Sequence, residues 1–155
     1  MSCENLYQKG NDECATPDWI LKGLFAGWFD PCPLSRGLIV RDGLRTEWNS
    51  DRIFINPPYS KPLPWVERAI IESRKGKTVV LLVKNDSSTK WYGKLCEAGA
   101  HFIPILERLN FNGKTAPFPN VLVVLYPDSE TAPNQKNDLF QLLAKAEAQG
   151  KEVKV

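Results

Sequence analysis

The 155-residue chain has a single histidine, His101, and a single methionine, and its four cysteines, Cys3, Cys14, Cys32 and Cys96, show no C-x-x-C spacing. That scarcity argues against a zinc centre and against a disulfide framework, and the cysteines read as reduced thiols of a cytosol-like compartment. Charge of one sign is also lacking. With 20 Lys and Arg against 18 Asp and Glu, the net charge of +2 is too small to name a nucleic-acid or membrane-surface partner by itself. Val79–Val83 and Val121–Tyr126 are the long apolar runs, and both are far too short to span a bilayer. The first fifteen residues carry Glu4, Lys9, Asp12 and Glu13 and lack the apolar core of a signal peptide. Repeats, low-complexity tracts and linkers are missing too. The expectation is a soluble, cytoplasmic, single-domain protein over residues 1–155, with a polar N-terminal arm of about residues 1–14 and no room for a second domain.

What is present is ordinary for a globular chain, 43% hydrophobic and 25% charged. Arg36, Arg41, Arg45 and Arg52 fall in one stretch, and Lys84, Lys90 and Lys94 form a sparser group; each reads either as a nucleic-acid footprint or as a solvated surface. Along the chain, "TPDWILKGLF" predicts a helix with Thr16 as N-cap, Pro17 at the first helical position and Ile20, Leu21, Leu24 and Phe25 on one face. "GWFDPCP" predicts a brief strand with Asp30 at its tip, stopped by proline and followed by no glycine-rich loop. Next come a strand in "RIFIN", a helix from Pro62 to Arg74, and a central parallel strand in "KTVVLLVKN". A helix in "SSTKWYGKLCEAGA", capped by Ser87 or Ser88, precedes strands in "HFIPILE" and "NVLVVLYP" and a closing helix over Asn137 to Gln149. The alternation predicts a small, mostly parallel, three-layer α/β sandwich whose last two strands pair antiparallel across the long loop "RLNFNGKTAPFPNV".

In "IFINPPYS" an apolar strand runs into Asn56, two prolines and Tyr59. Pro57 and Pro58 fix the backbone and end the strand, and Pro57 also holds Asn56 extended. The plain reading is a rigid turn, with Tyr59 covering a core edge. The functional reading is a site, because open α/β sheets bind ligands beyond the carboxyl ends of their strands. In the expected topology Asp30, Asn56, Asn85 and Asp86 share that rim.

Together, "NPPYS", "FDPCP", "TPDWI" and "TKWY" resemble, in order and spacing, the small phage-type DNA N6-adenine methyltransferases, a Dam-like family that uses S-adenosylmethionine. The resemblance covers roughly Thr16 to Tyr126. The family's run of short motifs appears here as Thr16-Pro17, Asp30, Asp42-Gly43-Leu44 to Trp48, Asn56 to Ser60, Trp91-Tyr92 and Arg108-Leu109-Asn110-Phe111. Pro31-Cys32-Pro33 follows the first strand where many methyltransferases have glycines, and Glu107 stands where the family often has Gly. The resemblance implies a Rossmann-like methyltransferase sandwich acting on DNA, with the adenine flipped out or single-stranded, and with no metal.

It also implies roles. Asn56 and the Pro57 carbonyl would accept hydrogen bonds from the adenine amine, Pro57 and Pro58 holding them rigid, and Tyr59 would stack on the base. Asp30 and Pro31 would take the amino-acid or ribose end of the cofactor, Asp42 its adenine end, and Thr16 and Pro17 its methionine end. Residue by residue, other readings stay open: a turn carboxylate for Asp30, an Asp-Gly turn for Asp42, core packing for Phe111, target-loop support for Arg108 and a buried filler for Cys32. Methylation of a glutamine amide or an RNA base, or a non-catalytic nucleic-acid-binding module, are the alternative functions.

Overall fold

Apolar runs bounded by proline and glycine become strands, and the amphipathic stretches between them become the helices that cover those strands. The structure, a computed structural model, describes residues 15–33, 42–127 and 133–150. The N-terminal arm, Cys3, Cys14, Arg36 and Arg41 lie outside the described residues. A π-helical turn over Trp19–Leu24 comes first, then β1 (Arg52–Ile55), α1 (Leu63–Arg74), β2 (Thr78–Lys84) and α2 (Lys90–Glu97). They are followed by β3 (His101–Pro104), a small hairpin of β4 (Asn110–Phe111) and β5 (Lys114–Thr115), β6 (Asn120–Leu125) and α3 (Pro133–Ala148).

The result is an α/β fold with a mixed sheet in the order β1-β2-β6-β3. β1 runs parallel to β2, with Ile55 opposite Leu81. β6 is antiparallel to both of its neighbours, β2 and β3. Phe29 extends the sheet beyond β1 through a parallel bridge to Ile53. The expectation of a mostly parallel sheet is corrected here: β1, β2 and β3 point the same way, but β6 lies between β2 and β3, so β2 is parallel to one neighbour and antiparallel to the other. The antiparallel pairing of the last two main strands is present as β3 with β6.

Alternate residues of β2 feed two cores. Val80 and Leu82 pack with Phe54, Leu122, the π-helical turn (Ile20, Leu24) and α3 (Leu139, Leu143). Val79, Leu81 and Val83 pack with Ile53, Ile55, Val123, α1 (Trp65, Val66, Ala69) and α2 (Trp91, Leu95). Both faces of β2 are therefore dry, which is why its sequence is continuously apolar. No helix among the described residues is long and apolar enough to cross a membrane.

Three local expectations are corrected. The first helix begins at Trp19, with Asp18 rather than Thr16 at its N-cap, and it closes with a π-type hydrogen bond from Phe25 N–H to the Ile20 carbonyl. α2 is capped by Thr89, extended at φ −91° and ψ 150°, rather than by Ser87 or Ser88; its hydroxyl donates to the Asp86 carbonyl. α3 begins at Pro133, four residues before Asn137, because Pro suits a helix start.

Candidate active site at the strand tips

Phe29, β1 and β2 run in one direction, so the residues that follow them, Asp30, Asn56 and Asn85, come out on one rim of the sheet. β6 runs the other way and brings its first residue, Asn120, to the same rim opposite Lys84. Asn56 leaves the buried strand directly into Pro57, which is itself buried. The Pro58 carbonyl accepts the Lys61 N–H at 3.2 Å, closing the turn and engaging the Pro58 carbonyl rather than that of Pro57. Asn56 Nδ2 donates to Thr16 Oγ1 at 3.1 Å across 40 residues of sequence. Thr16 thus orients the strand-tip amide instead of capping a helix. Asn56 Oδ1, on the other arm of the amide, is buried.

Tyr59 is half-buried beside this turn. Its ring stands edge-on to Phe111, with centroids 6.1 Å apart, and is tilted against Phe118 at 4.9 Å. Its hydroxyl accepts a hydrogen bond from Asn120 Nδ2 at 3.0 Å. Phe111 is fully buried and belongs to the core, and the Tyr59 ring leans on it. Asn120 and Phe118 were not singled out in the sequence; the signal available was the one amide heading the apolar run "NVLVVL", directly after a proline.

Asp30 and Asp42 sit on neighbouring turns. Gly43 packs so closely on the loop after Asp30 that a Cβ there would overlap the Pro31 carbonyl oxygen and approach Trp65 to 2.9 Å. Trp48 Nε1 donates to the Gly43 carbonyl at 2.7 Å, pinning the turn from below. Asp30 Oδ1 accepts the Cys32 N–H at 2.8 Å. Burial pushes the Asp30 carboxyl up to about 6, against the lowering effect of that bond. Asp42 is exposed: Oδ1 accepts the Leu44 N–H at 3.0 Å, and its carboxylate pairs with Arg45 at 3.4 Å. It therefore has the geometry of an Asp-Gly turn, and the structure brings it to Asp30 through the backbones of Gly43 and Pro31. Pro31 is buried at that contact, Pro17 lies half-buried next to Thr16, and Cys32 is a half-buried packing residue.

The 42–48 segment is held from behind by Glu72, a buried carboxylate on α1. Glu72 accepts from Arg68 at 2.9 Å, Lys75 at 3.0 Å and Lys77 at 2.5 Å. Arg68 then donates to the Leu44 and Thr46 carbonyls, and Lys77 to that of Trp48. The cations noted in the sequence are partly engaged elsewhere. Lys84 pairs with Asp86 at 3.1 Å and Lys94 with Glu67 at 3.2 Å, Arg52 lies over Trp28 at 5.8 Å, and Arg108 is exposed.

The family model of the DNA N-6-adenine-methyltransferases (Dam) matches residues 39–146. A protein of Haemophilus phage HP1 (strain HP1c1) named DNA N-6-adenine-methyltransferase is 35% identical, over 59% of this chain and 61% of the phage protein. The chain thus spans about three fifths of the length of that relative. No solved structure matches. Asp42, Asn56, Tyr59, Phe111 and Asn120 lie inside the family match, and Thr16 and Asp30 precede it. With most of its length and its central strand-tip motif inside that match, the chain belongs to the DNA N-6-adenine-methyltransferase (Dam) family.

Proposed function

We propose that the protein methylates the N6 amine of adenine in DNA with S-adenosylmethionine as donor, on a Rossmann-like, three-layer α/β scaffold, in the cytoplasm. The observation that carries this reading is Asn56: a side-chain amide at the tip of a buried parallel strand, oriented by Thr16 and fixed by two prolines.

The residues on the rim fit the donor. Asp30 is a half-buried carboxyl raised to about 6 by burial, whose charged form a cationic or hydroxyl-bearing ligand would stabilise, and it is flanked by the apolar Pro31 and Cys32. Asp30 and Pro31 would hold the amino-acid or ribose end, Asp42 the adenine end, and Thr16 and Pro17 the methionine end. When bound, S-adenosylmethionine supplies an electrophilic methyl group on a positive sulfonium. The protein's own contribution is directed at the acceptor. The adenine amine is a poor nucleophile because its lone pair is delocalised into the ring. Asn56 Oδ1 and the Pro57 carbonyl, accepting its two N–H groups, favour a pyramidal nitrogen with the lone pair aimed outward. The amine attacks as the neutral NH2 group held by these preorganised acceptors. Once methylated, its nitrogen is positively charged and acidic, so its extra proton would pass to water and no strong base is needed.

An adenine in a duplex cannot reach this rim, so the target is flipped out or single-stranded, and Tyr59 offers the face on which it stacks. Base readout within this chain falls to loops such as that from Asn112 to Asn120, where Asn112 and Lys114 are exposed.

The test is incubation with labelled S-adenosylmethionine and unmethylated DNA, followed by nucleoside mass analysis. N6-methyladenine is the expected product, and label in RNA or protein but not in DNA would reject the reading. Asn56→Ala should abolish turnover while donor binding measured by calorimetry is largely kept, since an acceptor used in the transition state is lost.

A further inference from the structure

Every residue of β6 is buried, and all but the first are Val or Leu. The first, Asn120, has no exposed surface. Its Nδ2 uses both protons, one on the Tyr59 hydroxyl at 3.0 Å and one on the Val83 carbonyl at 3.3 Å. Its Oδ1 is buried and finds no hydrogen-bond partner among the described residues. The Val83 carbonyl fixes which way the amide points, because turning it over would set two carbonyl oxygens against each other. A buried amide satisfied on one side only weakens the fold, and an apolar side chain of similar volume would suit this strand better. What the amide does at this position is hold Tyr59.

We propose that Asn120 is a positioning residue for capture of the target base: its amide anchors the Tyr59 hydroxyl and so sets the ring at the angle on which the extruded adenine stacks. The inference rests on the reading of Asn56 and Tyr59 as the target site. Phe111 and Phe118 bound the ring by packing, but packing alone leaves a half-exposed ring free to tilt. The directional hydrogen bond removes that freedom. The anchor is itself rigid, since Asn120 is paired with Lys84 across the sheet and the Asn85 N–H donates to the Pro119 carbonyl at 2.9 Å. Stacking by itself would make the hydroxyl dispensable; the Asn120 contact gives it a function.

The experiment compares Asn120→Leu, Tyr59→Phe and the double variant in the full chain. Asn120→Leu is expected to melt no lower than wild type, to bind S-adenosylmethionine unchanged, and to lose about fivefold in kcat/KM on duplex DNA, the equivalent of one ordinary hydrogen bond. Most of that loss is recovered on single-stranded DNA, where extrusion is cheaper. Tyr59→Phe should show the same pattern, and the double variant should be no worse in duplex kinetics than either single change, because the Asn120–Tyr59 hydrogen bond is the contact that both changes break. With 2-aminopurine at the methylated position, both variants should give a smaller fluorescence rise on duplex binding. Wild-type duplex kinetics in Asn120→Leu overturns the proposal, as does an equal fall on duplex and single strands together with a lower melting temperature. If Asn120→Leu does not fold, wild-type duplex kinetics in Tyr59→Phe overturns it. An active Asn56→Ala would instead sink the underlying site reading, whereas an inactive Asn56→Ala beside a fully active Asn120→Leu rejects only the role of Asn120.

Discussion

Asp30 makes the residue scale measurable, because its carboxyl titrates at about 6 in the fold, raised by burial. If it meets a cationic group of the donor, binding requires the carboxylate, so affinity should rise with pH through that value. Between pH 5 and 7 the ionised fraction grows about tenfold, and the dissociation constant measured by calorimetry should fall by about the same factor and level off above. Asp30→Asn should bind weakly with no pH dependence over that interval. A pH-independent wild type would remove Asp30 from the site. Asn56 and Tyr59 were legible in the sequence because two prolines after an apolar run announce a strand tip. Asn120 was not, since an Asn after Pro-Phe-Pro reads locally as a turn residue, and its partner lies 61 positions away.

At the scale of elements, the contact between the turns at Pro31 and Gly43 decides how the two proposed cofactor carboxylates are set. Gly43→Ala would drive a Cβ into a backbone carbonyl, which cannot swing aside as a flexible side chain could. It should destabilise the protein by about 1–3 kcal/mol, seen as a lower denaturant midpoint, and should weaken donor binding beyond what the stability loss explains. An alanine variant with normal stability and affinity would show that the two turns move independently. The strands were legible wherever a run is continuously apolar, as in "TVVLLVK" and "NVLVVL". The π-helical turn was not, because Ile20, Leu24 and Phe25 have the spacing of an ordinary helix and only the hydrogen bond from Phe25 to Ile20 distinguishes it. Strand order was hidden for a different reason: no local pattern says that β6 enters between β2 and β3.

For the whole molecule, Glu72 and Asp30 pull stability in opposite directions with pH. Burial alone would raise Glu72, but Lys77, Lys75 and Arg68 outweigh it and hold the carboxyl at about 2. Its contribution is complete above its ordinary value of about 4.5 and is lost as pH falls from there towards 2. Asp30, raised to about 6, favours the fold when protonated, so its contribution is complete below about 3.8 and lost as pH rises through 6. Melting temperature should therefore increase modestly from pH 7 to about 5 and drop below about 4.5. Glu72→Gln should lose the acid drop and about 2–3 kcal/mol of stability at pH 7, because Arg68 and Lys77 keep their charges and lose their acceptor. Asp30→Asn should lose the rise.

The place of β6 in the sheet also bears on how the chain comes off the ribosome. β1, α1, β2, α2 and β3 emerge in order, yet β2 and β3 have no strand to join them until residues 120 to 125 arrive between them and pair with both. Until then the Val-Leu backbone of β2 presents one open edge, a template for pairing with another nascent chain. Closing that gap is a late, non-local event, so translation paused or truncated before Asn120 should yield an aggregation-prone intermediate. Because Asn120 leads the strand that closes the sheet, Tyr59 would gain its anchor only when that last gap is filled.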